Sequence, residues 1–164
     1  MSQSLTDLRF CHLVVGVTDM DRALEFYRDL LGMDIVFDQL ISGEPFDAAL
    51  QATRKQSGRV VGGLVGGQMI ELLSLGTSVP PAADGQQRRA RKGVVGYQNV
   101  ALSVTDLDAT YRHIVEAGYT PDQEPFPIQG VRMFFVKDPD GTAVEFIELP
   151  GDARTTYEMH RGQQ

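Results

Sequence analysis

Hydrophobic and polar residues follow the same succession of patterns twice along this chain. The β-branched run at 9–17 predicts a strand, since Val favours the pleated surface of a sheet. A segment of helical periodicity follows, begun by the N-cap residues Thr18 and Asp19 and ended at Gly32. Its apolar face consists of Met20, Leu24, Tyr27 and Leu31. The pattern therefore predicts a strand followed by an amphipathic helix.

The rest of the first half is typical of a small sheet. Three more strands are predicted at 34–40, 59–65 and 68–75. The last two form a hairpin around Gly66-Gly67, a pair that tolerates the positive φ of a tight turn. The polar segment 42–58 is either a loop or a short helix. Residues 76–93 are predicted as a linker, and their basic run RRARK is interpreted as a solvated connector rather than an anion site.

The second half repeats this order. A strand is predicted at 97–104, a helix at 106–117 and an edge strand, broken by Pro121, at 119–123. Two strands at 131–137 and 142–149 pair through the turn Asp-Pro-Asp-Gly at 138–141. Residues 150–164 are predicted as a polar tail.

The repetition extends to individual residues. VTDMD at 17–21 returns as VTDLD at 104–108. At equal spacing before the repeated Val lie His12 in the first copy and Asn99 in the second. Glu71 and Glu145 each follow a glycine, Gly67 or Gly141, again at equal spacing. We therefore expect two copies of one strand–helix–strands unit, each with a polar residue early and a glutamate late.

Composition narrows the class of protein. The 164 residues suffice for one ordinary domain or two small ones, and 42% hydrophobic residues support a packed core. The net charge of −7 argues against general binding of nucleic acid or anionic membrane. No apolar run is long enough to span a membrane, and MSQSLTDLRF lacks a secretory apolar core. The single cysteine, Cys11, fits a reducing compartment and is expected to be a buried small residue. These features predict a soluble cytoplasmic protein.

The repeated segments, Glu71 in MIELL and Glu145 in DPDGTAVEFIEL resemble the vicinal-oxygen-chelate superfamily. That group includes glyoxalase I, methylmalonyl-CoA epimerase, fosfomycin- and bleomycin-resistance proteins and extradiol dioxygenases. The resemblance implies an α+β fold in which paired βαβββ modules form a curled mixed sheet, cup-shaped half-barrels with helices on the outer face. It implies one domain over 1–164, with modules at 9–75 and 94–149. It also implies a homodimer, with the cup formed within one chain or across two.

The resemblance further implies one divalent metal ion, held by residues of the first and last strand of each module: His12, Glu71, Asn99 and Glu145. Independently, carboxylates in strands of Val, Ile, Leu and Phe need a partner, since desolvating a charge is costly. An N/O donor set suits Zn, Ni, Co, Mn or Fe. Asn99 departs from the His of many relatives, and as a neutral amide it ligates weakly or only hydrogen-bonds. One His among four candidates disfavours the 2-His-1-carboxylate site of oxygen-activating enzymes.

Other residues are candidates for contact with a small-molecule substrate. Tyr97, Met69 and Phe135 line the cup or belong to the core, and Arg59 and Arg132 either anchor an anionic substrate or are ordinary strand arginines. The favoured function is a metal-dependent lyase or isomerase that abstracts a proton next to a carbonyl, giving a metal-stabilised enediolate or enolate, with Glu145 and then Glu71 as the base. A metal-free ligand-binding protein of the bleomycin-resistance type is the alternative. Ring-opening or hydrolytic chemistry by a metal-bound water stays open.

Overall fold

The computed structural model describes residues 9–49, 57–76 and 97–161. The chain divides into two compact units, Met1–Val79 and Pro80–Gln164. Within the ranges just given, each unit holds one open four-stranded mixed sheet. The predicted linker at 76–93 lies outside the described residues, apart from Gly76.

The described part of the first unit contains strands β1 to β4 and two helices. The strands are β1 (Leu13–Val17), β2 (Asp34–Ser42), β3 (Ser57–Val65) and β4 (Gln68–Leu75), in the spatial order β1-β4-β3-β2. β1 runs parallel to β4, and β3 is antiparallel to both β4 and β2. Helix α1 (Met20–Leu24) continues as a π-helical segment (Glu25–Leu30), and α2 spans Glu44–Ala49. The short helix predicted as one option for 42–58 is therefore present.

Helix α1 begins where the sequence predicts it. Oδ1 of Asp19 accepts from the backbone N–H groups of Asp21 and Arg22, which are otherwise unsatisfied at a helix start. The predicted stop, Gly32, has a φ of 71°. The π-helical widening was not predicted from the 3.6-residue period, which places Tyr27 but not Phe26 on the buried face. Both rings are buried, and they meet edge to face with centroids 5.2 Å apart.

The second unit repeats the arrangement. Its strands are β5 (Val100–Ser103), β6 (Phe126–Ile128), β7 (Val131–Lys137) and β8 (Ala143–Glu148), in the order β5-β8-β7-β6. β5 is parallel to β8, whereas β7 is antiparallel to β8 and β6. Helix α3 (Leu107–Glu116) follows β5, and α4 (Thr156–Arg161) lies within the predicted tail. The predicted α+β fold of two βαβββ modules is confirmed.

Some predicted strand boundaries are wrong. β1 and β5 begin at Leu13 and Val100, so His12 and Asn99 immediately precede their strands. The edge strand is Phe126–Ile128 and not 119–123. The 119–123 segment does reach β7, because the N–H of Asp122 donates to the carbonyl of Phe135 at 2.8 Å. Pro121 has no N–H to continue such a ladder.

Each sheet packs one face against its own helix. In the first unit Val15, Val61 and Leu72 are buried on the helix face. In the second, Phe134 stacks on Phe146 with centroids 5.1 Å apart. Because side chains alternate along a strand, Glu71 and Glu145 lie on the opposite face of their sheets. None of the described helices has the length and apolar character needed to cross a bilayer.

Candidate functional site

Both modules bring their early polar residue to their late glutamate through the same strand register. In β1 and β4, Val14 pairs with Glu71, and His12 lies two positions before Val14. In β5 and β8, Ala101 pairs with Glu145, and Asn99 lies two positions before Ala101. The duplicated sequence thus creates two equivalent polar pairs, one on each sheet.

The first pair is an imidazole beside a carboxylate. His12 Nε2 lies 3.7 Å from Glu71 Oε2, beyond ordinary hydrogen-bond distance. The other ring nitrogen, Nδ1, is 3.3 Å from Cys11 Sγ. Cys11 is exposed, contrary to the prediction that it is buried, because residues 9–12 precede β1 and do not follow its alternation. Cys11 therefore holds the imidazole from the side opposite Glu71.

The second pair is an amide in direct contact with a carboxylate. Asn99 Nδ2 donates to Glu145 Oε2 at 2.8 Å. An amide nitrogen is a donor and has no lone pair for a metal, so ligation by Asn99 requires its Oδ1 to be turned toward the ion instead. The two positions that the repeat makes equivalent therefore carry different chemistry.

Aromatic rings stand beside both glutamates. In the second unit Phe135 pairs with Glu145 across β7 and β8 and is only 8% exposed. In the first unit Gly62 pairs with Glu71, and the ring of Phe37 from β2 covers Gly62 so closely that a Cβ there would collide with it. The sequence did not single out Phe37, although a glycine pair inside a strand signals close approach by another group.

The remaining predicted substrate contacts differ in position. Met69 lies on the same face of β4 as Glu71, two residues away, and is partly buried. Tyr97 is 99% exposed and precedes β5, so it is not held on the sheet beside Asn99 as the predicted strand required.

Arg59 and Arg132 are placed away from the two glutamates. Arg59 pairs with Ser74 and Arg132 with Glu148, three residues beyond Glu71 and Glu145, which puts both on the helix faces. There each guanidinium binds carboxylates. Arg59 donates to Asp38, with N–O distances of 2.7 and 2.9 Å, and to Asp21 at 3.2 Å. Arg132 donates to Asp108, with N–O distances of 2.7 and 3.0 Å. Both guanidinium groups therefore lie on the face opposite the glutamates, and their contact with an anionic substrate stays a prediction.

These ion pairs shift the acidity of their members. The hydrogen bond from Arg59 lowers the pKa of Asp38, and that from Arg132 lowers the pKa of Asp108. In return Asp38 raises the pKa of Arg59, and Asp108 raises that of Arg132. Both arginines are thus fixed structural cations that join a helix to a sheet.

The donors fit a divalent metal ion in part. Within the described ranges, no three His, Cys, Asp or Glu side chains converge on one point. The His12–Glu71 pair does fit, because two ligands at about 2.1 Å from a tetrahedral ion are about 3.4 Å apart. Its separation of 3.7 Å and its N/O chemistry both suit such an ion.

Comparison with known proteins assigns the chain to a family. Residues 9–146 match the model of the Glyoxalase/Bleomycin resistance protein/Dioxygenase superfamily. The chain belongs to this superfamily. A probable lactoylglutathione lyase from Vibrio cholerae is 29% identical over 88% of this chain and 93% of its own length.

Two other relatives extend this comparison. The Arabidopsis thaliana protein named lactoylglutathione lyase GLX1 is 27% identical over 85% of this chain, which spans only 44% of that relative's length. Among solved structures, a glyoxalase family protein from Bacillus cereus superposes with a TM-score of 0.75 at 19% identity. The superposition covers 92% of this chain and all of that one, and it supports the fold.

Proposed function

We propose that this protein is a divalent-metal-dependent lyase or isomerase that removes a proton next to a carbonyl of a small oxygenated substrate. The observation that carries the proposal is the His12–Glu71 pair, whose 3.7 Å separation suits two ligands of one ion. The name lactoylglutathione lyase, borne by relatives 25–29% identical to this chain, supports the reaction class.

His12 and Glu71 are the residues that would hold the ion. A divalent ion there, of Zn, Ni, Co, Mn or Fe, would supply Lewis-acid stabilisation of negative charge on a substrate oxygen. The contact of His12 Nδ1 with Cys11 Sγ leaves Nε2 facing Glu71, the orientation that ligation requires.

Glu145 is proposed as the general base. Glu145 is partly buried as a residue, and Asn99 Nδ2 donates a hydrogen bond to one of its carboxylate oxygens. Phe135 pairs with Glu145 across the sheet and is itself buried. A carboxylate held in one orientation is suited to take a proton from carbon and return it. Glu71 is the second choice for this role.

The experiment measures metal and turnover in protein purified without a histidine tag. We expect about one equivalent of divalent metal per chain, loss of activity on chelation, and recovery on adding Zn²⁺, Ni²⁺ or Co²⁺. Formation of lactoylglutathione, the compound in the relatives' name, is the first assay. Glu71→Gln should lose metal, whereas Glu145→Gln should keep metal and lose turnover. A protein that holds no metal and binds its ligand equally well with chelator would instead be a binding module of the bleomycin-resistance type.

Assembly and location belong to the same proposal. Membership of the superfamily supports a homodimer. The molar mass of the protein, measured by light scattering during size-exclusion chromatography, tests this directly. A small-molecule substrate and a cytoplasmic location likewise stay proposals.

A further inference from the structure

We infer that Asn99 is a positioning residue for the Glu145 carboxylate and not a metal ligand. The two repeat-related pairs, His12–Glu71 and Asn99–Glu145, therefore have different roles. This inference rests on the proposed function, in which Glu145 is the general base. It is argued within the second unit, where Asn99 supports the Glu145 carboxylate, and the His12–Glu71 pair of the first unit serves as the comparison.

The repeat itself provides the comparison. His12 and Asn99 occupy equivalent positions, two residues before the strand residue that pairs with the glutamate. The imidazole stands 3.7 Å from its carboxylate, which leaves space for an ion between them. The amide stands 2.8 Å from its carboxylate with an N–H directed at the oxygen, which is a completed hydrogen bond.

The chemistry of the amide separates the two roles. As a ligand, Asn99 would have to present Oδ1, and turning the amide would remove the N–H that now reaches Glu145. As a donor, Asn99 fixes the direction of the carboxylate and limits its rotation, which a base needs in order to reach a proton in one geometry. The hydrogen bond that is present favours the second role.

The residues packed around Glu145 restrict the position of its side chain. Ala101 on β5 and Phe135 on β7 flank it in register, so its carbon chain lies between a small and a large apolar side chain. Val144 and Phe146, which precede and follow it on β8, are buried on the other face. The backbone and stem of Glu145 are thereby held by packing, and the Asn99 amide holds its carboxylate end.

The test compares Asn99→Ala with its repeat counterpart His12→Ala and uses Zn²⁺ alone as the probe. In titrations against a competing chelator, we expect Asn99→Ala to bind Zn²⁺ within about twofold of the unaltered protein. His12→Ala should bind it at least about tenfold more weakly. With turnover as a second readout, Asn99→Ala should lower kcat about tenfold or more with little change in KM, and Asn99→Gln, which keeps an N–H donor, should recover part of it.

A measurement on metal-free protein makes the hydrogen bond visible by itself. The side-chain amide of Asn99 should give an NMR signal in which one proton is shifted downfield, and Glu145→Ala should remove that shift. An Asn99→Ala variant that loses Zn²⁺ as strongly as His12→Ala, or an amide signal indifferent to Glu145→Ala, would overturn the inference while leaving the proposed function intact. Absence of Zn²⁺ binding by the unaltered protein would overturn both.

Discussion

Arg132 on β7 and Asp108 in the first turn of α3 form a two-bond ion pair, with N–O distances of 2.7 and 3.0 Å. Arg59 on β3 makes the corresponding contact to Asp21 in the first unit, at 3.2 Å. Asp21 and Asp108 are the last residues of the repeated VTDMD and VTDLD. The repeated segment therefore encodes both the start of a helix and the bond that joins this helix to its sheet.

This ion pair should make the second unit sensitive to acid. Arg132 lowers the pKa of Asp108, so the carboxylate stabilises the fold above the unfolded-state value of 3.8. That contribution is lost as the pH falls through the lower folded-state pKa. We expect Asp108→Asn to reduce the free energy of unfolding near neutral pH and to have little effect at the acid end. Urea unfolding at a series of pH values measures this.

A matched control is Asp152→Asn, an exposed carboxylate in the same unit. It should leave the pH dependence of stability almost unchanged. If Asp108→Asn and Asp152→Asn gave the same pH profile, the ion pair would have no role in acid stability.

The first Asp of each repeated motif should contribute as a helix cap. Asp106 Oδ1 accepts from the N–H of Ala109 at 2.8 Å. Asp106→Ala leaves this N–H without its side-chain partner and should cost about 1 kcal/mol in the free energy of unfolding. Thr105→Ala, which alters the exposed residue just before the cap, is the control. Equal losses for the two variants would argue against capping.

Gly62 should not tolerate a side chain. A Cβ at this position would collide with the ring of Phe37, so Gly62→Ala should cost about 1–3 kcal/mol through overpacking. Combining it with Phe37→Leu should recover part of the loss. Gly16→Ala is the neutral control, because a Cβ there meets nothing within 4 Å. Thermal unfolding of these three variants and of Phe37→Leu alone tests the contact, and purely additive losses in the double variant would contradict it.

Asp138 should hold the turn between β7 and β8. It is 4% exposed, and its Oδ1 accepts from the N–H groups of Asp140 (3.0 Å) and Thr142 (2.7 Å). Asp138→Ala would leave both N–H groups without this acceptor, at a cost of about 2 kcal/mol. Asp138→Asn keeps an acceptor oxygen and should lose less. A chemical-denaturation series on both variants is the measurement, and an Asn variant as unstable as the Ala variant would refute the hydrogen-bond account.

The sequence determined much of the fold because its signals are local. Asp19 and Asp106 cap the helices where predicted, and Gly67 and Gly141 take the positive φ of the two turns. The duplicated motifs sufficed to predict two βαβββ modules, since a motif that recurs with its caps and turns forms the same structure twice.

The sequence also suffices to predict on which face of the sheet the side chains of Arg59 and Glu71 lie. The two-residue turn at Gly66-Gly67 fixes the hairpin register, so that Arg59 pairs with Ser74 and lies on the opposite face from Glu71. The aspartates that bind Arg59 could not be predicted from the sequence, because Asp21 and Asp38 approach it from other elements.

Tertiary structure alone decided what each candidate side chain touches. The sequence makes His12 and Asn99 equivalent. Only the folded chain shows that the His12 imidazole is separated from Glu71 by 3.7 Å, whereas the Asn99 amide is hydrogen-bonded to Glu145. It likewise took the sheet to place Phe37 over Gly62 and Cys11 beside His12. Local pattern specifies elements and their faces, whereas the partner of a side chain depends on strand register and on rotamers that only packing between distant segments selects.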